Sequence, residues 1–389
     1  MRIVVCGDTH IGAVFGLGRS NGAGGNTRVD DYEKTLNYII DHTIKTKADV
    51  FVQTGDMFEQ RDPSIEHMNI VDKALKRLSN ANIATFVIMG NHDYKKSGTS
   101  FTSSIVSLSA AEYPNVRMLL EPEVVEVCNA KNQKVNLILL PYRDRKMYEG
   151  SNTKEQSEAY DSQVRELIGS ISNDDPIVSV GHNFFYEGSY NDYGGTEVMA
   201  SPSAFKGCDI TMMGHLHQFR VLRKQAPVCV YTGSMERSNF GDTGVDKYFI
   251  DYDISNKKAK FCKIPVRDLL DASVNLSGID FSDINDAIDN SLEEHDVKDK
   301  IVRFKFAVDE KVLPAMDKEL IQSALYNLGA FHVSKIGIET IVQRLVRDNS
   351  ILDHKDDFSM FKAFVDSQGI EKEYEKALIK EAKIIMGEV

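Results

Sequence analysis

The chain has 389 residues, 42% hydrophobic and 27% charged, which is enough for two or three domains with ordinary cores. Its formal charge of −12 argues against a protein that binds DNA on its own, and there is no run of eighteen apolar residues to span a bilayer. Cys6, Cys128, Cys208, Cys229 and Cys262 are scattered without a C-x-x-C pair, which excludes a zinc ribbon and argues against a disulfide framework. The opening MRIVVCGDTH lacks the basic start and longer apolar run of a secretory leader, so the expectation is a cytoplasmic protein with no membrane partner.

Charge is unevenly spread. Residues 1–265 carry 30 Lys and Arg against 33 Asp and Glu, a net of −3; residues 266–389 carry 16 against 25, a net of −9. Two divalent cations would turn the first part slightly positive, drawing nucleic acid to a metal site rather than to a surface.

Short apolar runs occur at Ile3–Cys6, Val50–Val52, Thr85–Met89, Leu137–Leu140, Ile177–Val180, Ile210–Met213 and Val228–Tyr231. Each suits a strand buried on both faces. Tyr32, Leu36, Ile39, Ile40 and Ile44 are spaced for one helix face, and a second such pattern runs from Ile65 to Leu78. The spacing predicts a layered α/β domain over 1–265. The glycine-rich Gly16–Gly25 lacks the Lys-Ser/Thr ending of a P-loop and reads as a mobile loop near a site.

From about Pro265 the texture changes. The stretch from Asp271 to Asp299 is acidic and mostly helical in pattern, with Ser282 as an expected N-cap. Ile301–Val308 alternates as a strand does, a helix follows from about Met316 to Leu328, and Phe331–Ile336 is strand-like again. These predict a small α+β domain over 266–345. In the last unit, 354–389, Asp357–Ser367 and Glu371–Met386 form two short amphipathic helices of the kind that dock on a partner or fold back on the body.

The chemistry lies where the apolar runs end. They lead into Gly7-Asp8-Thr9-His10, Gly55-Asp56, Gly90-Asn91-His92-Asp93, Gly181-His182 and Gly214-His215-Leu216-His217. In open α/β sheets ligands bind at the carboxyl ends of strands. The donors Asp8, Asp56, Asn91, His10, His182, His215 and His217 exceed what one ion needs; shared between two ions bridged by a carboxylate, they supply about four ligands each. Mixed oxygen and imidazole donors without thiolate suit manganese, iron or zinc better than magnesium. Two such ions about 3.5–4 Å apart clamp a phosphate and ionise a water. Capping aspartates and satisfied histidines are commoner than ligands, yet five of the ten histidines (His10, His92, His182, His215, His217) fall in these short segments.

The ordered set GDTHIG, GDMF, GNHD, GH and GHLH resembles the calcineurin-like metallophosphoesterase superfamily. The segment Gly233–Gly241, with its G-S-x-E-R-x-x-F pattern, is similar to the SbcD branch, nuclease partners of SbcC-type ATPases in DNA double-strand-break repair. The resemblance implies a layered β-sandwich flanked by helices, a smaller α+β capping domain and C-terminal helices. It implies that Asp8, His10, Asp56 and His217 hold one metal and that Asp56, Asn91, His182 and His215 hold the other, with Asp56 bridging. Manganese is the expected ion, with magnesium an alternative. His92 matches the family histidine that contacts the phosphate and protonates the leaving oxygen, and Asp93 orients His92 or caps a turn.

The implied activity is exonuclease and endonuclease hydrolysis of DNA phosphodiesters. The implied partners are DNA, an SbcC-type ATPase gripped by the C-terminal helices, and a second copy through Ile65–Leu78 and about Phe101–Tyr113. The alternatives are a small-molecule phosphatase or phosphodiesterase with the same ligands, and a non-catalytic DNA-end-tethering subunit, which would be expected to lack one or two of them.

Overall fold

Along the first strand, Arg2–Cys6, Ile3 and Val5 point into one hydrophobic core while Val4 and Cys6 point into another. A strand buried on both faces must lie inside a layered structure, and this one lies near the middle of a six-stranded mixed sheet. The order is Lys258–Ile264, Lys247–Asp253, Arg2–Cys6, Val50–Gln53, Ala84–Ile88, Val116–Leu119. The last four are mutually parallel, and the first two join antiparallel. The computed structural model describes residues 1–97, 100–109, 113–187, 197–341, 356–367 and 372–386.

A second six-stranded sheet packs against it, in the order Arg220–Arg223, Val228–Tyr231, Ile210–Gly214, Ile177–His182, Lys134–Leu140, Glu123–Cys128. Its four inner strands are parallel. Val135, Leu137, Leu139, Val178, Val180 and Met212 from this sheet meet Ile3, Val5, Val52 and Ile88 from the other, which makes the central core. The helices Thr27–Lys45 and Ile65–Asn80 cover the outer face of the first sheet. Asn26 and Ser64 cap them by accepting the Arg28 and His67 amides. The helix Thr153–Gly169 covers the second sheet through Tyr160 and Val164.

All seven apolar runs are strands. Among the strands without such a run, Glu123–Cys128, Lys247–Asp253 and Lys258–Ile264 lie at or next to sheet edges and mix charged with apolar residues. The helix Thr153–Gly169 buries Ser157 and Asp161 among its inward residues, which blurs its apolar stripe.

The apolar side of Ile65–Asn80 (Ile70, Val71, Ala74, Leu75, Leu78) is spent on its own sheet. Its outer face is polar apart from the exposed Ile65, so this helix offers little apolar surface to a second copy. Of the other expected dimer segment, Ser104–Ser109 is helical and positions 110–112 lie outside the described residues.

Beyond Ile264 a smaller unit has its own core. Its three strands, Leu269–Asn275, Ile301–Val308 and His332–Thr340, are all parallel, and the helices Ile284–Glu293 and Lys318–Asn327 make the crossovers. The expected helical texture from Asp271 is therefore a strand up to Asn275. Polar Asp271, Ser273 and Asn275 alternate on its open face and hid the pattern. Ser282 is not the cap; Asp283 occupies that position without a side-chain cap bond. Within Gly16–Gly25, Asn21 Oδ1 accepts the Ala23 and Gly25 amides. Arg19 lies over the rings of Tyr326 and Phe331. The expected boundary at 345 lies outside the described residues. Asp357–Ser367 and Lys372–Met386 are helical and touch each other through Lys383 over the Phe358 ring.

Candidate metal centre

Every strand that carries a candidate ligand ends at the same edge of the sandwich. Asp8 and His10 follow the first strand, Asp56 follows Val50–Gln53, and Asn91 and His92 follow Ala84–Ile88. His182 ends its own strand, and His215 and His217 follow Ile210–Gly214. The sheets thus bring all seven predicted donors together, and they separate into two sets.

Asp8, His10 and His217 form one set and Asp56, His182 and His215 the other, each with ligand atoms mutually within 4.8 Å. In the first, the Nε2 atoms of His10 and His217 are 2.9 Å apart, and Asp8 Oδ2 is 4.0 Å from His217 Nε2. In the second, Asn91 Oδ1 is 2.9 Å from His182 Nε2 and 2.8 Å from His215 Nδ1. Asp56 Oδ2 sits between the sets, 3.7 Å from His10 Nε2 and 3.3 Å from His182 Nε2.

Imidazole nitrogens facing one another at about 3 Å are the spacing of donors around one cation at roughly 2.1 Å. Without a cation, a proton on one member of each pair is needed to hold the same spacing. The donor set fits two divalent ions, for which Asp56, placed between the sets, would be the carboxylate to share.

Backbone geometry reinforces this. His10, Asp56 and His215 adopt φ of 43°, 51° and 83°, a left-handed conformation that side-chain-bearing residues rarely take. Each costs on the order of 1–3 kcal/mol, and such strain collects at functional sites. The glycines before Asn91 and His215 are needed for space. A Cβ on Gly90 would collide with Asp56 Oδ1, and one on Gly214 would collide with Asp8 Oδ1.

The outer contacts fix which nitrogen is free. His182 Nδ1 donates to the Thr54 carbonyl at 2.8 Å, leaving Nε2 for a ligand role. His10 Nδ1 faces Glu59 Oε2 at 2.8 Å, which turns its Nε2 inward. His92 Nδ1 donates to the Glu59 carbonyl at 2.9 Å, and the His92 side chain, 36% exposed, stands at the mouth of the site. Asp93 does not orient the His92 ring. Its buried carboxylate instead accepts the amides of Met57, Phe58 and Gly90, tying two ligand-bearing loops together. Burial and the neighbouring Asp56 charge raise it to about 6 against those three amides.

Burial alone would lower the His182 pKa, but Asp56 and Asp8 outweigh it and raise the imidazole to about 9. Burial would raise Asp56, yet His182, His10 and His92 hold its carboxyl well below the usual range. His215, buried and beside His182, falls to about 3 and is a neutral donor.

Glu59 escaped the sequence reading, because a lone Glu three residues after Asp56 carries no spacing signature. The signal was chemical: a ligating imidazole needs an acceptor for its other nitrogen. Glu59→Gln is expected to weaken manganese binding by about 10- to 100-fold with little change in thermal unfolding. Unaltered affinity in a manganese titration would mean that His10 is held without it.

Two sandwiched mixed sheets thus present paired carboxylate–imidazole sets at one edge. The chain belongs to the calcineurin-like phosphoesterase family, whose family model matches residues 1–219. It is 25% identical over 299 residues to the DNA double-strand break repair protein Mre11 of Methanosarcina mazei, covering 76% of this chain and 43% of that one. It is 22% identical over 269 residues to the SbcD subunit of the nuclease SbcCD of Staphylococcus epidermidis, covering 66% and 67%. It is also 22% identical over 220 residues to the uncharacterized metallophosphoesterase YhaO of Bacillus subtilis, covering 56% and 48%. The chain spans less than half the length of the Mre11 and YhaO relatives.

Among solved structures, TT1561 of Thermus thermophilus aligns with a TM-score of 0.41 at 12% identity, covering 67% of this chain and 98% of that one. A dimetal phosphatase from Danio rerio aligns at 0.39 and 9%, covering 68% and 99%. Among the described residues no helix is long and apolar enough to cross a membrane.

Proposed function

We propose that this chain is a two-metal DNA phosphodiesterase acting at DNA ends, the nuclease subunit of an SbcC–SbcD-type complex. The observation that carries the reading is the Ser234–Phe240 turn. It is built into the backbone of the first ligand set and continues, through Arg237, to the smaller unit. A phosphatase with the same ligands needs no such attachment. The similarity to Mre11 also runs over 299 residues, well past the 219 of the phosphoesterase match. By their names, that relative repairs DNA double-strand breaks and the SbcD relative belongs to a nuclease.

In this reading Asp8, His10, Asp56 and His217 hold one ion and Asp56, Asn91, His182 and His215 the other; the donors suit manganese, iron or zinc, and manganese is taken from the family resemblance. The ions, when bound, neutralise phosphate charge and make water acidic enough to attack. His92 stands beside the His10 ring at 4.9 Å and keeps Nδ1 on the Glu59 carbonyl, so its Nε2 is the atom available to a phosphate oxygen or a leaving group. Glu59 fixes both imidazoles. The smaller unit caps the site. The C-terminal helices, with Tyr374, Leu378, Ile384 and Ile385 exposed, offer the apolar surface for an ATPase partner.

The test is cleavage of end-labelled duplex and hairpin DNA with manganese or magnesium, beside a small chromogenic phosphodiester. Manganese-dependent cutting of DNA is the expected result. Hydrolysis of the small ester alone would favour a phosphatase, and no hydrolysis of either would favour the tethering subunit.

A further inference from the structure

Two ligands of the first set do not stand on their own strands alone. The Ser234 amide donates to the His217 carbonyl at 3.0 Å, and the Met235 amide donates to the Asp8 carbonyl at 3.1 Å. Lys247, fully buried, adds its Nζ to the same His217 carbonyl at 3.2 Å and to Ser234 Oγ at 3.0 Å. One short turn therefore carries the main chain of both Asp8 and His217.

That turn is anchored by the burial of Met235 in the core and by a chain of charges. Glu236, 1% exposed, accepts Arg28 Nη2 at 2.6 Å and the Thr35 hydroxyl at 2.9 Å. Arg28, also 1% exposed, reaches Asp31 at 3.1 Å. Asp31 in turn receives both arms of Arg267, at 2.8 and 2.7 Å. Arg267 lies just before the strand Leu269–Asn275, donates to the Asp299 carbonyl, and lies 3.4 Å from the centroid of the Phe331 ring. From the other end of the turn, Arg237 grips the Arg267 carbonyl at 2.8 Å and Asp268 at 2.7 Å.

Buried ion pairs are a poor source of stability because desolvation offsets their attraction, and their best-attested use is to fix a register. Here the register they fix is that of the first ligand set relative to the smaller unit. We infer that Arg267 is a positioning residue for that set: through Asp31, Arg28 and Glu236 it holds the Ser234–Met235 turn that carries Asp8 and His217. Seating of the smaller unit and affinity for the first ion are then coupled. The inference rests on the two-ion reading.

The test is a manganese titration of the full chain, with site occupancies resolved by anomalous scattering at limiting manganese. Arg267→Ala is expected to weaken the ion at Asp8, His10 and His217 about tenfold and to leave the other unchanged. Arg267→Lys, which keeps the charge but loses the fork, should fall between. Should Arg267→Ala fail to fold, Thr35→Val removes one hydroxyl from Glu236 without altering charge and should lower the same site in the same direction. A folded Arg267→Ala, or a Thr35→Val, with both affinities intact would overturn the inference, as would equal weakening of both ions. If the unaltered chain bound one ion only, the two-ion reading would fall, and the inference would stand or fall on whether Arg267→Ala loosened that ion.

Discussion

Asp56→Asn is expected to abolish tight binding of both ions and to cut hydrolysis by on the order of 10⁴-fold or more. The substitution keeps shape and keeps an acceptor for the His92 amide, which now bonds Asp56 Oδ1 at 2.7 Å. What it removes is the charge placed between His10 and His182. Titration calorimetry should show loss at both sites together, because the residue serves both. Imidazole NMR of the metal-free protein gives an independent reading. With Asp56 gone, His182 loses the main charge that raises it to about 9, and burial should carry its pKa downward. Retention of one full-strength site would mean that Asp56 is not shared.

His92→Ala has the opposite profile: both ions kept, catalysis lost by about 10²- to 10⁴-fold. The His92 side chain is 36% exposed and belongs to neither of the two sets that contain Asp8 or Asp56. Its amide, which holds Asp56, survives the substitution. Stability should therefore change by no more than about 0.5 kcal/mol. The measurement is a rate on labelled DNA at saturating manganese, beside a binding titration. An unaltered rate would remove the proton-donor role.

The sandwich and its ligands were legible because both leave marks in one dimension. Strands buried on two faces read as unbroken apolar runs, and Asp8, Asp56, Asn91, His182, His215 and His217 each follow such a run within a few residues. Edge strands such as Lys258–Ile264 leave a weaker mark, since lysines alternate with core residues. The strand Leu269–Asn275 was hidden by the polar side chains on its open face. Contacts made through space left none. Nothing in the spacing of Arg28, Asp31, Glu236 and Arg267 announces that they meet, and the left-handed backbone of His10, Asp56 and His215 is a property of the loops. For Asp93 the sequence leaves two roles open, orienting His92 or capping a turn, and its carboxylate takes the second, accepting the amides of Gly90, Met57 and Phe58.

The most direct test of the two-ion centre is manganese anomalous scattering from crystals of the unaltered chain at saturating metal. Two peaks flanking the Asp56 carboxylate, one against His10 and His217 and one against His182 and His215, are the predicted result. A single peak, or two that do not share Asp56, would contradict it.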